Sequence, residues 1–144
     1  MNATLRQATN IRPVFFATAA LLTAIVVARA DDSALISRWY SALLVADRTE
    51  LADLLADDVR IKLDDLGVMQ SKQEFIASLD EWKGAVAGAQ IRHRIAKSEG
   101  GVTTVIACYD FPGNDILMQE TFAVADNHIT ASSQAAIAEN CDDF

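Results

Sequence analysis

Residues Ser37 to Ile61, SRWYSALLVADRTELADLLADDVRI, hold two short amphipathic helices and the start of a strand in 25 residues, which constrains the fold more than any other stretch. Leu35, Ile36, Trp39, Tyr40, Leu43 and Leu44 recur at helical spacing and give the first helix an apolar face. Asp47, with Glu50 three residues on, reads as an N-cap and capping-box pair, so a second helix starts there rather than the first continuing. Leu51, Leu54 and Leu55 form its inner stripe, and Asp57-Asp58 are expected to end it. Val59, Ile61 and Leu63 then alternate with polar residues at the period of a half-buried strand.

The remainder predicts one more helix and an antiparallel sheet. Gly67 to Gln70 is a brief extended piece. Ser71 caps the third helix, Glu74 completes its box, and Phe75, Ile76, Leu79 and Trp82 form its apolar stripe. Gly84 and Gly88 bracket its end. Four strands follow at about 89–97, 102–111, 116–125 and 128–137, separated by Glu99-Gly100-Gly101, Pro112-Gly113-Asn114 and Asp126-Asn127, residues that accept tight-turn dihedrals. Helices segregated onto a curved antiparallel sheet make an α+β fold with a single core.

Three residue groups carry a family resemblance: Arg38-Trp39-Tyr40 on the first helix, Asp47 leading the second, and Ala56-Asp57-Asp58-Val59 at the exit into the first strand. With them the chain resembles the nuclear transport factor 2-like superfamily, in particular its SnoaL-like (polyketide cyclase) and ketosteroid isomerase-like branches, and the element order agrees through about Ala136. The resemblance implies a cone-shaped, cystatin-like arrangement of three helices on a curved sheet, with a pocket between the concave face and the helices. It also implies cofactor-independent chemistry and, commonly, a homodimer.

What precedes residue 31 reads as a leader. Arg6 and Arg12 stand without acids before an uncharged apolar run from Val14 to Ala28, and Ala28-Arg29-Ala30 has the small-x-small form that signal peptidases accept. As a helix that run spans only about 22 Å at roughly 1.5 Å per residue, short of the roughly 30 Å hydrocarbon layer, so no stable membrane anchor is expected after cleavage. The expected organisation is a signal peptide at 1–30, a SnoaL-like domain at 31–137 and an acidic tail at 138–144, in a periplasmic or secreted protein. Cleavage after Ala30 removes three arginines and no acid, leaving 9 basic against 20 acidic residues and a charge near −11. Such a domain repels phosphate backbones, which argues against a nucleic-acid partner.

Export gives the two cysteines meaning. Cys108 falls in a strand and Cys141 near the C-terminus, and in an oxidising compartment the pair reads as a disulfide; the alternative is a buried free Cys108 with a loose tail thiol. There is no CxxC and no neighbouring histidine, so no metal site is indicated.

Period two sorts the strand residues by face. Ile91, His93 and Ile95 share one side, and Ile116, Met118, Glu120, Phe122 and Val124 share another. A lone carboxylate on an apolar face is the least expected feature, because burying it unpaired is costly or raises its pKa. A neutral Glu120 can donate a hydrogen bond to a carbonyl or enolate. His93 is a candidate base or ligand donor, Asp64 at a possible pocket mouth is a second candidate base, Tyr40 is a candidate to stabilise an enolate beside Glu120, and Trp39, Met118, Phe122 and Tyr109 are candidates for the pocket wall. Aligned without gaps, the isomerase branch puts its catalytic tyrosine at Trp39, one step before Tyr40, and its proton-shuttling aspartate at Leu63, beside Asp64. Its late-strand acid falls in the Glu120-Thr121-Phe122 context. Three functions stay open: an exported binder of a small, largely apolar ligand; an isomerase, cyclase or dehydratase acting alpha to a carbonyl; and an interaction module dimerising through its sheet.

Overall fold

The structure, a computed structural model, describes residues 21–144, with side chains from Asp32 onward. Most of the expected leader therefore lies outside the described residues, and of Ala28-Arg29-Ala30 only the helical backbone is described. No helix among the described residues is long and apolar enough to cross a membrane.

Helix α1 (Leu21–Leu44) is followed by α2 (Arg48–Leu54). Asp47 caps α2 through its side chain, which accepts from the Glu50 N–H. The expected capping box is only half made. The Asp47 N–H already donates to Ala42 O at 2.9 Å, and the Glu50 carboxylate accepts from Arg38 Nε at 2.8 Å instead. Strand β1 (Leu55–Leu63) begins where the sequence suggested helix. Leu55 is therefore a strand residue and Asp57-Asp58 an exposed part of that strand, because buried Leu55 pairs with β6 and draws the chain into extended geometry early.

A single 3-10 turn at Asp64–Leu66 leads to the short β2 (Val68–Gln70), then α3 (Lys72–Ala85) with both halves of the Ser71–Glu74 capping box formed. The sheet is completed by β3 (Gln90–Glu99), β4 (Val102–Phe111), β5 (Asn114–Ala125) and β6 (His128–Ala138). Its order is β2-β1-β6-β5-β4-β3. The sheet is not wholly antiparallel as expected: β1 runs parallel to β6, and the other pairs are antiparallel. That pairing follows from the path of the chain, since β1 and β6 are joined by helix α3 and four strands rather than by a tight hairpin turn. The β5–β6 hairpin turns on Asp126 and Asn127, both with positive φ (49° and 60°), as a tight two-residue loop requires.

The concave face and the helices enclose the core. Leu35, Ile36, Trp39, Tyr40 and Leu43 of α1, Leu51 and Leu54 of α2, and Phe75 and Leu79 of α3 pack on Val59, Ile61, Val105, Phe122 and Ile129. A second small cluster, Ile106, Cys108, Leu117 and Cys141, lies on the opposite face. Cys108 and Cys141 are disulfide-bonded. The C-terminal tail is thus held against the sheet rather than loose: Cys141 N–H donates to Asp115, and Phe144 lies under the Arg92 guanidinium at 4.7 Å. Asp142 and Asp143 remain exposed.

Candidate functional site

Helix α1 brings Trp39 and Tyr40 to the sheet on either side of Phe122, whose ring meets both edge-on at 6.0 and 6.2 Å. Trp39 turns toward α3 and stacks on Phe75 at 5.3 Å. Tyr40 turns toward β3 and β5. Its ring stacks on His93 at 4.4 Å, and its hydroxyl donates to Glu120 Oε2 at 2.9 Å. From β4, the Tyr109 hydroxyl donates to the other carboxylate oxygen, Oε1, at 2.6 Å. A carboxyl group with 1% exposure is therefore held by two tyrosines and by no cation among the described residues.

This geometry sets the protonation behaviour. Burial disfavours the carboxylate and the two tyrosine hydrogen bonds favour it; burial dominates, and the Glu120 pKa is pushed up to about 7. The same burial, with the neighbouring carboxylate, drives the Tyr40 and Tyr109 hydroxyls well above the usual phenol value, so both stay protonated as donors. Partial burial lowers the His93 pKa and favours the neutral ring.

Beside this network a cavity of about 490 Å³ opens between α3 and the sheet. Leu43 of α1 and Phe75, Leu79, Trp82 and Ala85 of α3 form the helical side. Leu63, Tyr109, Phe111, Ile116 and Met118 form the sheet side, with Gln70, Ser78, Glu81 and Gln134 as the polar positions. Trp82 is pinned by its indole N–H, which donates to Leu43 O at 2.7 Å, and it meets Tyr109 and Phe111 perpendicularly, each at 6.0 Å.

The eight expected site residues divide. Glu120 and Tyr40 do meet, and Tyr109 and Met118 do line the cavity. Trp39 and Phe122 are core residues with no more than 1% exposure and do not line it. His93 touches Tyr40 but not the cavity wall. Asp64, in the 3-10 turn, pairs with Lys62 at 2.6 Å, and its neighbour Leu63 faces the cavity instead. Sequence reasoning did not foresee Trp82 and Phe111 as wall residues or the direct bond from Tyr109 to Glu120. Cys108, Asp115 and Cys141 lie close together, but both sulfurs are spent in the disulfide, so they do not make a metal site.

No family model matches the chain, and no curated protein matches it in sequence. Solved structures do. An NTF-2-like protein of unknown function from Burkholderia xenovorans superposes with a TM-score of 0.63 at 16% identity, over 75% of this chain and 84% of that one. A candidate ketosteroid isomerase from Kribbella flavida gives 0.61 at 15%, over 75% and 78%. IdmH, a candidate polyketide cyclase from Streptomyces antibioticus, gives 0.59 at 16%, over 73% and 91%. At these identities the likeness speaks for architecture, and with three helices on an open, curved six-stranded sheet the chain has the nuclear transport factor 2-like fold, in the form shared by ketosteroid isomerase-like and polyketide cyclase-like proteins.

Proposed function

We propose that the protein is an exported binder of a small, largely apolar ligand held between α3 and the concave face of the sheet. The observation that carries this reading is the cavity of about 490 Å³, walled by aliphatic and aromatic side chains with four polar positions to orient a guest. Binding is favoured over catalysis because the strongest acid–base candidate, Glu120, is sealed behind Tyr40 and Tyr109, while His93 and Asp64 stand off the wall. Export rests on the leader and is supported by the Cys108–Cys141 disulfide, which suits an oxidising compartment.

One observation favours a second reading, an isomerase, cyclase or dehydratase acting alpha to a carbonyl without a cofactor. Tyr109 both lines the cavity and hydrogen-bonds Glu120. A carbonyl oxygen at its hydroxyl would lie one hydrogen bond from an acid poised near neutral pH. The sheet-mediated homodimer remains part of the proposal only on the analogy of fold.

The test is a fluorescence titration with N-phenyl-1-naphthylamine, a neutral apolar probe, on protein with its disulfide intact. Saturable one-to-one binding that is lost in Met118→Trp, which fills the cavity, supports the binder. An unchanged titration in that variant refutes it. Deuterium wash-in at the alpha position of a model β-keto ester, abolished by Glu120→Gln, would move the assignment to the enzyme. Mass spectrometry of the exported chain should find an N-terminus at Asp31.

A further inference from the structure

Among the residues that line the cavity, one is charged, Glu81, and none is cationic. Glu81 stands at the exposed rim with no ion-pair partner among the described residues. Lys83, in the last turn of α3, does not line the cavity. Trp82, Tyr109 and Phe111 form an aromatic corner, their ring centroids 6.0 to 6.1 Å apart, with Trp82 perpendicular to the other two. Aromatic faces attract ammonium groups, and Trp does so most strongly.

Resting on the binding reading, we propose that this cavity selects a cationic guest: a largely apolar molecule bearing one amine or quaternary ammonium group. The apolar body lies against Phe75, Leu79 and Met118, and the charge sits at the Trp82–Phe111 corner facing Glu81. The one fixed charge on the wall is then negative, and the guest supplies the opposite sign. The overall negative charge of the chain adds a long-range attraction that salt screens. Glu120, behind Tyr109, adds a second negative charge as it ionises, so amine affinity should rise as pH passes through about 7.

The test compares three probes on one skeleton in calorimetric titrations at low salt: 2-(aminomethyl)naphthalene, 2-naphthalenemethanol and 2-naphthoate. The amine should bind about tenfold tighter than the alcohol, as expected when cation–π and carboxylate contacts act together. The anion should bind weakest. Glu81→Gln should lower amine affinity roughly three- to tenfold and shrink the amine's advantage over the alcohol. Asp53→Asn, an acid on a different surface cleft, should change neither. Equal or tighter binding of the alcohol or the anion overturns the inference, as does an equal loss in Glu81→Gln and Asp53→Asn. If all three probes fail while N-phenyl-1-naphthylamine binds, the charge selection is wrong and the binding reading stands. If that probe fails as well, both fall.

Discussion

Replacing Glu120 with glutamine should change the pH dependence of stability in a way that no surface carboxylate can imitate. The folded-state pKa lies near 7 and the unfolded value near 4.5. Between those limits the folded protein holds a proton that the unfolded chain has released, so the group's contribution to stability falls as pH rises. At about 1.36 kcal/mol per unit, the whole shift amounts to about 3 kcal/mol. That contribution is fully present below about pH 4.5, is lost steadily toward pH 7, and stays lost above it. Among the described residues only the Tyr40 hydroxyl from α1 and the Tyr109 hydroxyl from β4 bond the carboxyl group; His93 of β3 meets the Tyr40 ring, and Gln134 of β6, paired with Glu120, is uncharged.

Glutamine keeps the shape, accepts from one tyrosine and donates to the other, and has no proton to lose. Urea unfolding of wild type and Glu120→Gln from pH 4.5 to 8.5 should therefore give nearly equal stabilities at the acid end. At pH 8 the variant should be the more stable, by about 3 kcal/mol. With an m-value of roughly 1–2 kcal/mol/M, the midpoints should separate by on the order of 2 M. Titration of other groups cancels in the difference between the two proteins. A difference that does not change across this range, or a variant that is less stable at pH 8 than at pH 5 relative to wild type, would refute a buried carboxyl group governed by desolvation.

Other outcomes follow from single contacts. A thiol assay on unreduced, denatured protein should find no free thiol, and Cys108→Ser/Cys141→Ser should lose about 3–4 kcal/mol on the chain-entropy model for a loop of this length. Ser71→Ala should cost about 1 kcal/mol in urea unfolding, because it removes the side-chain acceptor at the N-terminus of α3. Trp82→Phe should cost about 1 kcal/mol through the lost bond to Leu43 O, and should weaken N-phenyl-1-naphthylamine binding as the corner loosens. No change in probe affinity in that variant would place the probe elsewhere.

What could be read from the sequence was what neighbouring residues encode. Asp47 and Ser71 announce their helices because a cap bonds three residues ahead, and Asp126-Asn127 announces its hairpin because those residues tolerate positive φ. Glu120 stood out because strand period two assigns it to an apolar face whatever lies opposite. The early start of β1 at Leu55 was hidden because it depends on pairing with Ile129, more than seventy residues away, while locally the leucines fit a helix. Tyr40 was obscure for a related reason: only the seating of α1 on the sheet shows that two adjacent aromatics can both be buried, one toward α3 and one toward Glu120.

The Tyr109–Glu120 bond was a different kind of omission, because both partners were within reach of local rules. The hairpin at Pro112-Gly113 pairs Tyr109 with Ile116, and the same register pairs Val105 with Glu120. Directly paired residues share a face, and so do residues an even number apart on one strand. Ile116 and Glu120 are four apart, so Tyr109 must lie on the face of Glu120, and a tyrosine there is long enough to reach diagonally to it. The turn residues alone thus imply that the buried acid has a phenolic donor on the adjacent strand. The acid that looked unpaired in the sequence is instead solvated by tyrosines. This is why its pKa settles near neutrality rather than higher, and why the polar end of the site is a phenol on the wall with a carboxyl group behind it.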